Sequence, residues 1–288
     1  MAAPTNPDSE GNCAPLSPAP YAKAGGKGPS GARLANATKL LAVLPLASLA
    51  STAWAEMPLP EVVFIAGKPS HGYGEHEHNA GGAILVDDLN RSGLVRATLL
   101  RNGWPESGLP TDPASIVFYL DGADQHEALP HLDEMADLMA RGVGMVAIHY
   151  ATHFPAAEGE AYALDWLGGY YDSETSTNPH WQADFKVSGT HPVGRGVPGF
   201  TARDEFYFNI RFNQAPAPDA VLSAVPPDEA REHVPHPRRY FGFFGGSVPQ
   251  EVARANGQRE TIAWALDRVD GGRGFGFTGG HFHWNWAN

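Results

Sequence analysis

After residue 56 the chain alternates short apolar runs with stretches of helical periodicity. Glu61–Ala66 (EVVFIA) is closed by Gly67 and Pro69 and reads as a buried strand with its loop. Asn79 is placed to cap a helix through Ala83-Ile84-Leu85-Val86 and Leu89. Val95–Leu100 and Ile116–Leu120 follow as strands, the latter stopped by Asp121-Gly122. Leu129, Leu132, Met135 and Met139 recur at helical spacing, with Gly142 as a stop, and Gly144–Ile148 (GMVAI) is a strand with almost no polar residue. Apolar strands alternating with amphipathic helices predict a mainly parallel α/β sheet, covered on both faces. Past residue 180 the pattern turns β-like, over Ala183–Val187, Glu205–Phe212, Ala220–Ala224 and Tyr240–Phe244. This is read as an inserted or edge antiparallel section, after which Thr261–Leu266 and Gly274–Thr278 return to the main sheet.

The first 55 residues do not fit that alternation. Residues 1–38 are rich in Pro, Gly, Ala and Ser without apolar periodicity and read as a disordered leader. Lys39 then precedes the run Leu40–Leu49, and Ala53-Trp54-Ala55 supplies a small-x-small cleavage pattern, so residues 39–55 read as a signal-peptide h-region with its processing site. Some ten apolar residues broken by Pro45 are too few to cross about 30 Å of hydrocarbon. The expectation is an exported protein, periplasmic or extracellular, with one domain over residues 56–288 and no stable membrane insertion after cleavage. An α/β domain ordinarily closes with a helix, and its absence beyond Trp284 reads as a fragment or a shortened gene product.

Charge and cysteine usage narrow the chemistry. The formal net charge is −12, which disfavours nucleic acid and anionic membranes but not a neutral ligand such as a sugar. The only cysteine, Cys13, lies in the leader, so the domain has neither a thiolate nucleophile nor a disulfide. All 13 histidines follow residue 70, and several stand directly behind strands. In open α/β sheets ligands bind beyond the carboxyl ends of the strands. Three histidines and two glutamates crowd the first such loop, as His71, Glu75, His76, Glu77 and His78. His149 follows GMVAI directly and is the best placed single residue. His281 and His283 sit on a tight turn after the glycine-rich strand that begins at Arg273.

Asn178, His180 and Trp181 combine amide, imidazole and an aromatic plane suited to a sugar ring, and Asp204-Glu205-Phe206-Tyr207 adds carboxylates and a phenol. Because strand neighbours face opposite sides, one of the two carboxylates is expected at the site and the other at a loop. No Walker or dinucleotide fingerprint is present, and no His-Glu-x-x-His.

These blocks, in this order, resemble the trehalose-utilisation (ThuA-like) family. The resemblance rests on His71 with Gly74-Glu75-His76-Glu77, on Gly142 through His149, on Asp204 through Tyr207, and on Gly272-Arg273 through Gly280-His281. It implies a flavodoxin-like sheet of the class I glutamine amidotransferase type with the elbow cysteine lost, and His149 stands near that elbow. Amidotransferase activity is therefore not expected. The resemblance implies a role in disaccharide or glycoside breakdown, beside enzymes that make 3-keto sugars.

The expected catalytic set is His71, His149, His281, Glu205 and Arg273. Glu75, His76, Asn178, His180, Trp181, Asp204, Tyr207 and His283 are expected to bind substrate. Histidine acid–base chemistry is the leading reading. Its rivals are a divalent metal such as zinc, held by His71, His149 and His281 with His76 or His78, and a non-catalytic carbohydrate-binding role. No cofactor is firmly implied, the partner is a small carbohydrate, and oligomeric state is left open.

Overall fold

The computed structural model describes residues 58–109, 113–226 and 257–287. The leader, the h-region and the expected strand at Tyr240–Phe244 lie outside these residues. Five strands form the parallel part of an eight-stranded sheet: β1 (Glu61–Ala66), β2 (Arg96–Arg101), β3 (Ser115–Tyr119), β4 (Gly144–Ile148) and, much later in the chain, β12 (Arg273–Phe277). Their spatial order, β2-β1-β3-β4-β12, is the flavodoxin-like order, with β12 in fifth place. Three antiparallel strands continue the sheet, β11 (Glu260–Asp267), β10 (Asp219–Ala224) and β7 (Lys186–Val187). Two short ribbons lie apart from it. One pairs β5 (Gly169–Tyr170) with β9 (Arg211–Phe212), and the other pairs β6 (His180–Asp184) with β8 (Thr201–Glu205).

The period of two in the strands divides the core between the faces. Val63, Ile65, Ile116, Phe118, Met145 and Ala147 face one way, onto α2 (Leu132–Ala140) and the helical residues Trp166 and Leu167. Phe64, Val117 and Ile148 face the other, onto Leu85, Val86 and Leu89 of α1 (His78–Arg91). Among the described residues, no helix is long and apolar enough to cross a membrane.

Four sequence expectations are corrected. Asn79 is not the cap of α1: the helix already begins at His78, and the Asn79 amide donates to Asn102. The helix expected from Leu129 opens as a 3-10 turn, Leu129–His131, and His131 at φ −122° and ψ 22° separates it from the α-helix that starts at Leu132. Ala183–Val187 is split between β6 and β7, which belong to different sheets. Glu205–Phe212 is likewise not one strand. β8 ends at Glu205, Asn209 takes a left-handed φ of 56°, and β9 starts only at Arg211. That break lets Glu205 stand at a strand end.

Candidate functional site

Four buried side chains from distant parts of the chain converge above the carboxyl edge of the sheet. His76 comes from the loop between β1 and α1, His149 directly follows β4, His281 lies just past β12, and Glu205 closes β8. His149 turns out of its strand with φ 57°, a left-handed conformation that a non-glycine residue adopts at a cost. His76 (φ 47°) and His71 (φ 68°) share it. Left-handed backbone at three histidines of one site is the kind of strain that surrounding structure must maintain.

The polar atoms aim at a common point. His76 Nε2 lies 3.0 Å from His149 Nε2 and 3.0 Å from His281 Nδ1. Glu205 Oε2 lies 3.4 Å from His149 Nε2 and 3.2 Å from His281 Nδ1. The far nitrogens are tied down. His149 Nδ1 is 2.9 Å from the Thr278 carbonyl, which can only accept, so Nδ1 carries the hydrogen. His76 Nδ1 is 2.8 Å from Asp121 Oδ1, which also accepts a hydrogen bond from Ser70 Oγ at 2.9 Å. Burial keeps both rings neutral: it lowers the pKa of His76 to about 4 and that of His149 well below the usual imidazole value. A neutral ring with its hydrogen on Nδ1 presents a bare lone pair at Nε2. Two such lone pairs therefore face each other at 3.0 Å, with a carboxylate beside them.

Within the cluster, only His281 is pushed the other way. Burial opposes its charge, but the hydrogen bond and charge of Glu205 outweigh it and raise the ring's pKa. Asp121 is held below the usual carboxylate value, against its own desolvation, by hydrogen bonds from His76 and Ser70.

The neighbouring carboxylates divide as alternation requires. Glu205 enters the cluster and accepts from Asn178 Nδ2 at 2.8 Å. Asp204 accepts from the backbone amides of Gly280 (2.8 Å) and Phe282 (3.1 Å) and so fixes the turn that carries His281. Gly280 makes that turn at φ 117°, where a side chain would be strained. Tyr207 Oη donates to His149 Nε2 at 3.3 Å, and Tyr171 Oη donates to Asn178. His180, a third exposed, lies 3.9 Å from Glu205, and Glu75 lies 3.9 Å from His281 Nε2, so both stand at the edge of the cluster.

His71 is exposed, with its ring centre 3.8 Å from that of His76 and the planes tilted by 42°; it borders the cluster, and the fourth inward ligand atom belongs to Glu205. Three further expectations are corrected. Arg273 opens β12 and so lies at the opposite, amino edge of the sheet, exposed and paired with Asp267 at 2.8 Å. Trp181 points into a core with Phe206 and Phe208 and donates its indole hydrogen to the Phe206 carbonyl, so no face is left for a sugar. His283 sits in the closing 3-10 turn, tied by its backbone to Gly74, and is not among the converging groups.

Two further residues, Asp121 and Ser70, are tied to His76 without a clear sequence signal. Asp121 reads in the sequence as a strand stop, although a carboxylate directly behind an apolar strand satisfies the same edge rule as His149. Ser70 carried no signal of its own.

The family model for ThuA, described as trehalose utilisation, matches residues 115–288. The chain belongs to the ThuA family. A ThuA-like protein of Bacteroides uniformis superposes with a TM-score of 0.51 at 16% identity, covering 82% of this chain and 87% of that one. A ThuA-like protein of Parabacteroides merdae gives 0.49 at 17% identity, covering 78% and 80%. A glutamine amidotransferase of Thermotoga maritima gives 0.39 at 12% identity, covering 77% and 75%. No curated protein matches the chain. ThuA membership places the protein in carbohydrate utilisation.

Proposed function

We propose that the protein is a divalent-cation-dependent enzyme of carbohydrate breakdown, a hydrolase or lyase for a disaccharide or 3-keto-glycoside. His76, His149, His281 and Glu205 would hold the cation. The observation that carries this reading is the pair of facing lone pairs on His76 and His149. Neither ring has a hydrogen of its own to place between them once each Nδ1 hydrogen is committed to Asp121 or to Thr278; Tyr207 and His281 approach the two nitrogens from the side. A cation placed between the two nitrogens would satisfy both lone pairs and the Glu205 carboxylate at once.

The residues fit a small cation. Four ligand atoms on a tetrahedral ion with bonds of about 2.0–2.1 Å lie roughly 3.4 Å apart. The four spacings between neighbouring ligand atoms here run from 3.0 to 3.4 Å, and all four atoms lie within 4.8 Å of one another. Three imidazoles and one carboxylate suit zinc or a related ion. A cation so held supplies Lewis acidity toward a sugar carbonyl or hydroxyl oxygen.

This reading replaces histidine acid–base chemistry at His149. A ring buried on all sides, with one nitrogen on a backbone carbonyl and the other facing inward, is a poor proton carrier. Proton transfer is assigned instead to groups at the edge of the cluster: His180, whose side chain is 31% exposed, and Glu75, at 34%. Asn178 and Tyr207 hold Glu205 and His149 in place.

Elemental analysis of the purified chain tests the assignment. About one equivalent of a divalent metal is expected, removable by a chelator, with turnover of a 3-keto-glycoside lost on removal and restored by zinc. A chain that stays metal-free after zinc addition, with unchanged turnover, would return the site to proton chemistry.

A further inference from the structure

Two large aromatic side chains are left in solvent beside this site. Tyr73 is fully exposed and Trp284 is 57% exposed. Single exposed aromatics are ordinary, but the setting of this pair is not. Tyr73 tips the tight turn Gly72–Glu75, closed by the Glu75 amide on the Gly72 carbonyl at 3.1 Å. That turn is tied to the turn bearing Trp284 by the His283 amide on the Gly74 carbonyl at 2.9 Å, and by the bridge between Glu75 and Phe282. Backbone pairing therefore holds the two aromatics on adjoining turns.

The inner face of Trp284 stacks on Phe282 with ring centres 4.2 Å apart and planes within 13°. Phe282 in turn meets His281 edge-on at 4.7 Å and His180 at 5.2 Å. A chain of rings thus runs from the buried cluster to an exposed indole.

We infer that Trp284, with Tyr73, forms an outer subsite that stacks against the second ring of a glycoside, while the first ring sits over the His76–His149–His281–Glu205 cluster. The inference rests on the carbohydrate reading above and narrows its substrate class to glycosides with a ring-shaped leaving part. Pyranose rings have an apolar C–H face that packs on aromatic planes, and their hydroxyls need donors and acceptors alongside. His180 and Glu75, both part-exposed, supply those between the two positions. The Tyr73 ring and the outer face of Trp284 stay in water in the folded chain, and covering them is favourable. The gain is available only on ligand binding.

Calorimetric titration of the full chain with trehalose, its 3-keto derivative and the matching methyl glycosides tests the subsite. At least one two-ring compound is expected to bind about tenfold tighter than its methyl glycoside, equal to about 1.4 kcal/mol. Trp284→Ala combined with Tyr73→Ala should erase that difference without weakening the methyl glycoside. Tyr73→Ala touches no packed side chain, whereas Trp284→Ala uncovers one face of Phe282, so circular dichroism and an unchanged metal content check that fold and cluster are intact. Equal affinities in the unmodified chain, or a preference that survives the double substitution, overturns the subsite and leaves the cation reading standing. Failure of every saccharide to bind overturns the carbohydrate reading and the subsite together. Repeating the titration on chelator-treated protein separates the two proposals, because the tenfold preference should persist without the metal.

Discussion

His126 and His149 are both fully buried, and both are kept neutral mainly by desolvation, yet their surroundings differ in one decisive respect. His126 spends both nitrogens on backbone: Nε2 donates to the Ala151 carbonyl at 3.1 Å, and Nδ1 accepts from the Ala128 amide at 3.1 Å. Its ring packs 4.2 Å from that of Phe154. His149 gives one nitrogen to backbone, and the other faces a second histidine and a carboxylate. Burial does not separate His126 from His149. The partner of the second nitrogen does.

The strongest way to break that distinction is to truncate both rings. His149→Ala removes a proposed ligand and should cut metal affinity by more than about 100-fold, beyond what loss of an outer partner costs. The apo fold should persist, because the cluster lies above the sheet edge rather than in the hydrophobic core. His126→Ala should keep its metal and instead lose about 2–4 kcal/mol of stability, from the cavity and two orphaned backbone groups. Metal stoichiometry and thermal melting of the two variants decide the matter. If His126→Ala sheds the metal, or His149→Ala keeps it at full affinity, the comparison collapses.

Asp121→Asn sharpens the comparison one shell further out. The carboxylate fixes the His76 hydrogen on Nδ1 and so points the Nε2 lone pair at the cluster. An amide keeps the shape but not the charge. Metal affinity, measured by competition with a chelator, should fall about 10–100-fold with the fold intact. An unchanged affinity would reduce Asp121 to a loop anchor shared with Ser70.

Much of this was legible before the structure. The alternation of elements gave the parallel sheet, and the edge rule alone placed His149 at the site. Alternation also divided Asp204 from Glu205 correctly. The errors came where direction or register was not followed through. Arg273 is the first residue of its strand, so the edge rule itself puts it on the wrong side. Trp181 and His180 are neighbours in β6 and must face opposite ways, as their alternating burial shows. The central place of His76 rests on a left-handed φ in an irregular loop and on a partner, His281, 205 residues away. No local pattern encodes such a meeting, because it is set by the order of the strands.

The smallest expected effect comes from pH and acts on the structural side of the comparison. Desolvation lowers the folded pKa of His126 to about 3, against 6.5 for an unperturbed ring. The unfolded chain therefore binds a proton that the folded chain refuses. The stabilisation is fully present above pH 6.5 and is lost as pH falls from there toward 3. At pH 5 the folded ring is still neutral, so His126 alone should cost about 2 kcal/mol relative to pH 7, or roughly 4–8 °C in a domain of this size. His153, lowered to about 4 by burial, adds to the same slope and stays in place when His126 is removed. The melting temperature of chelator-treated His126→Ala should accordingly fall less between pH 7 and pH 5 than that of the chelator-treated parent, by roughly that margin. Equal slopes would mean that the folded ring accepts its proton at ordinary pH. The two backbone contacts would then not hold it neutral, and the contrast with His149 would lose its physical basis.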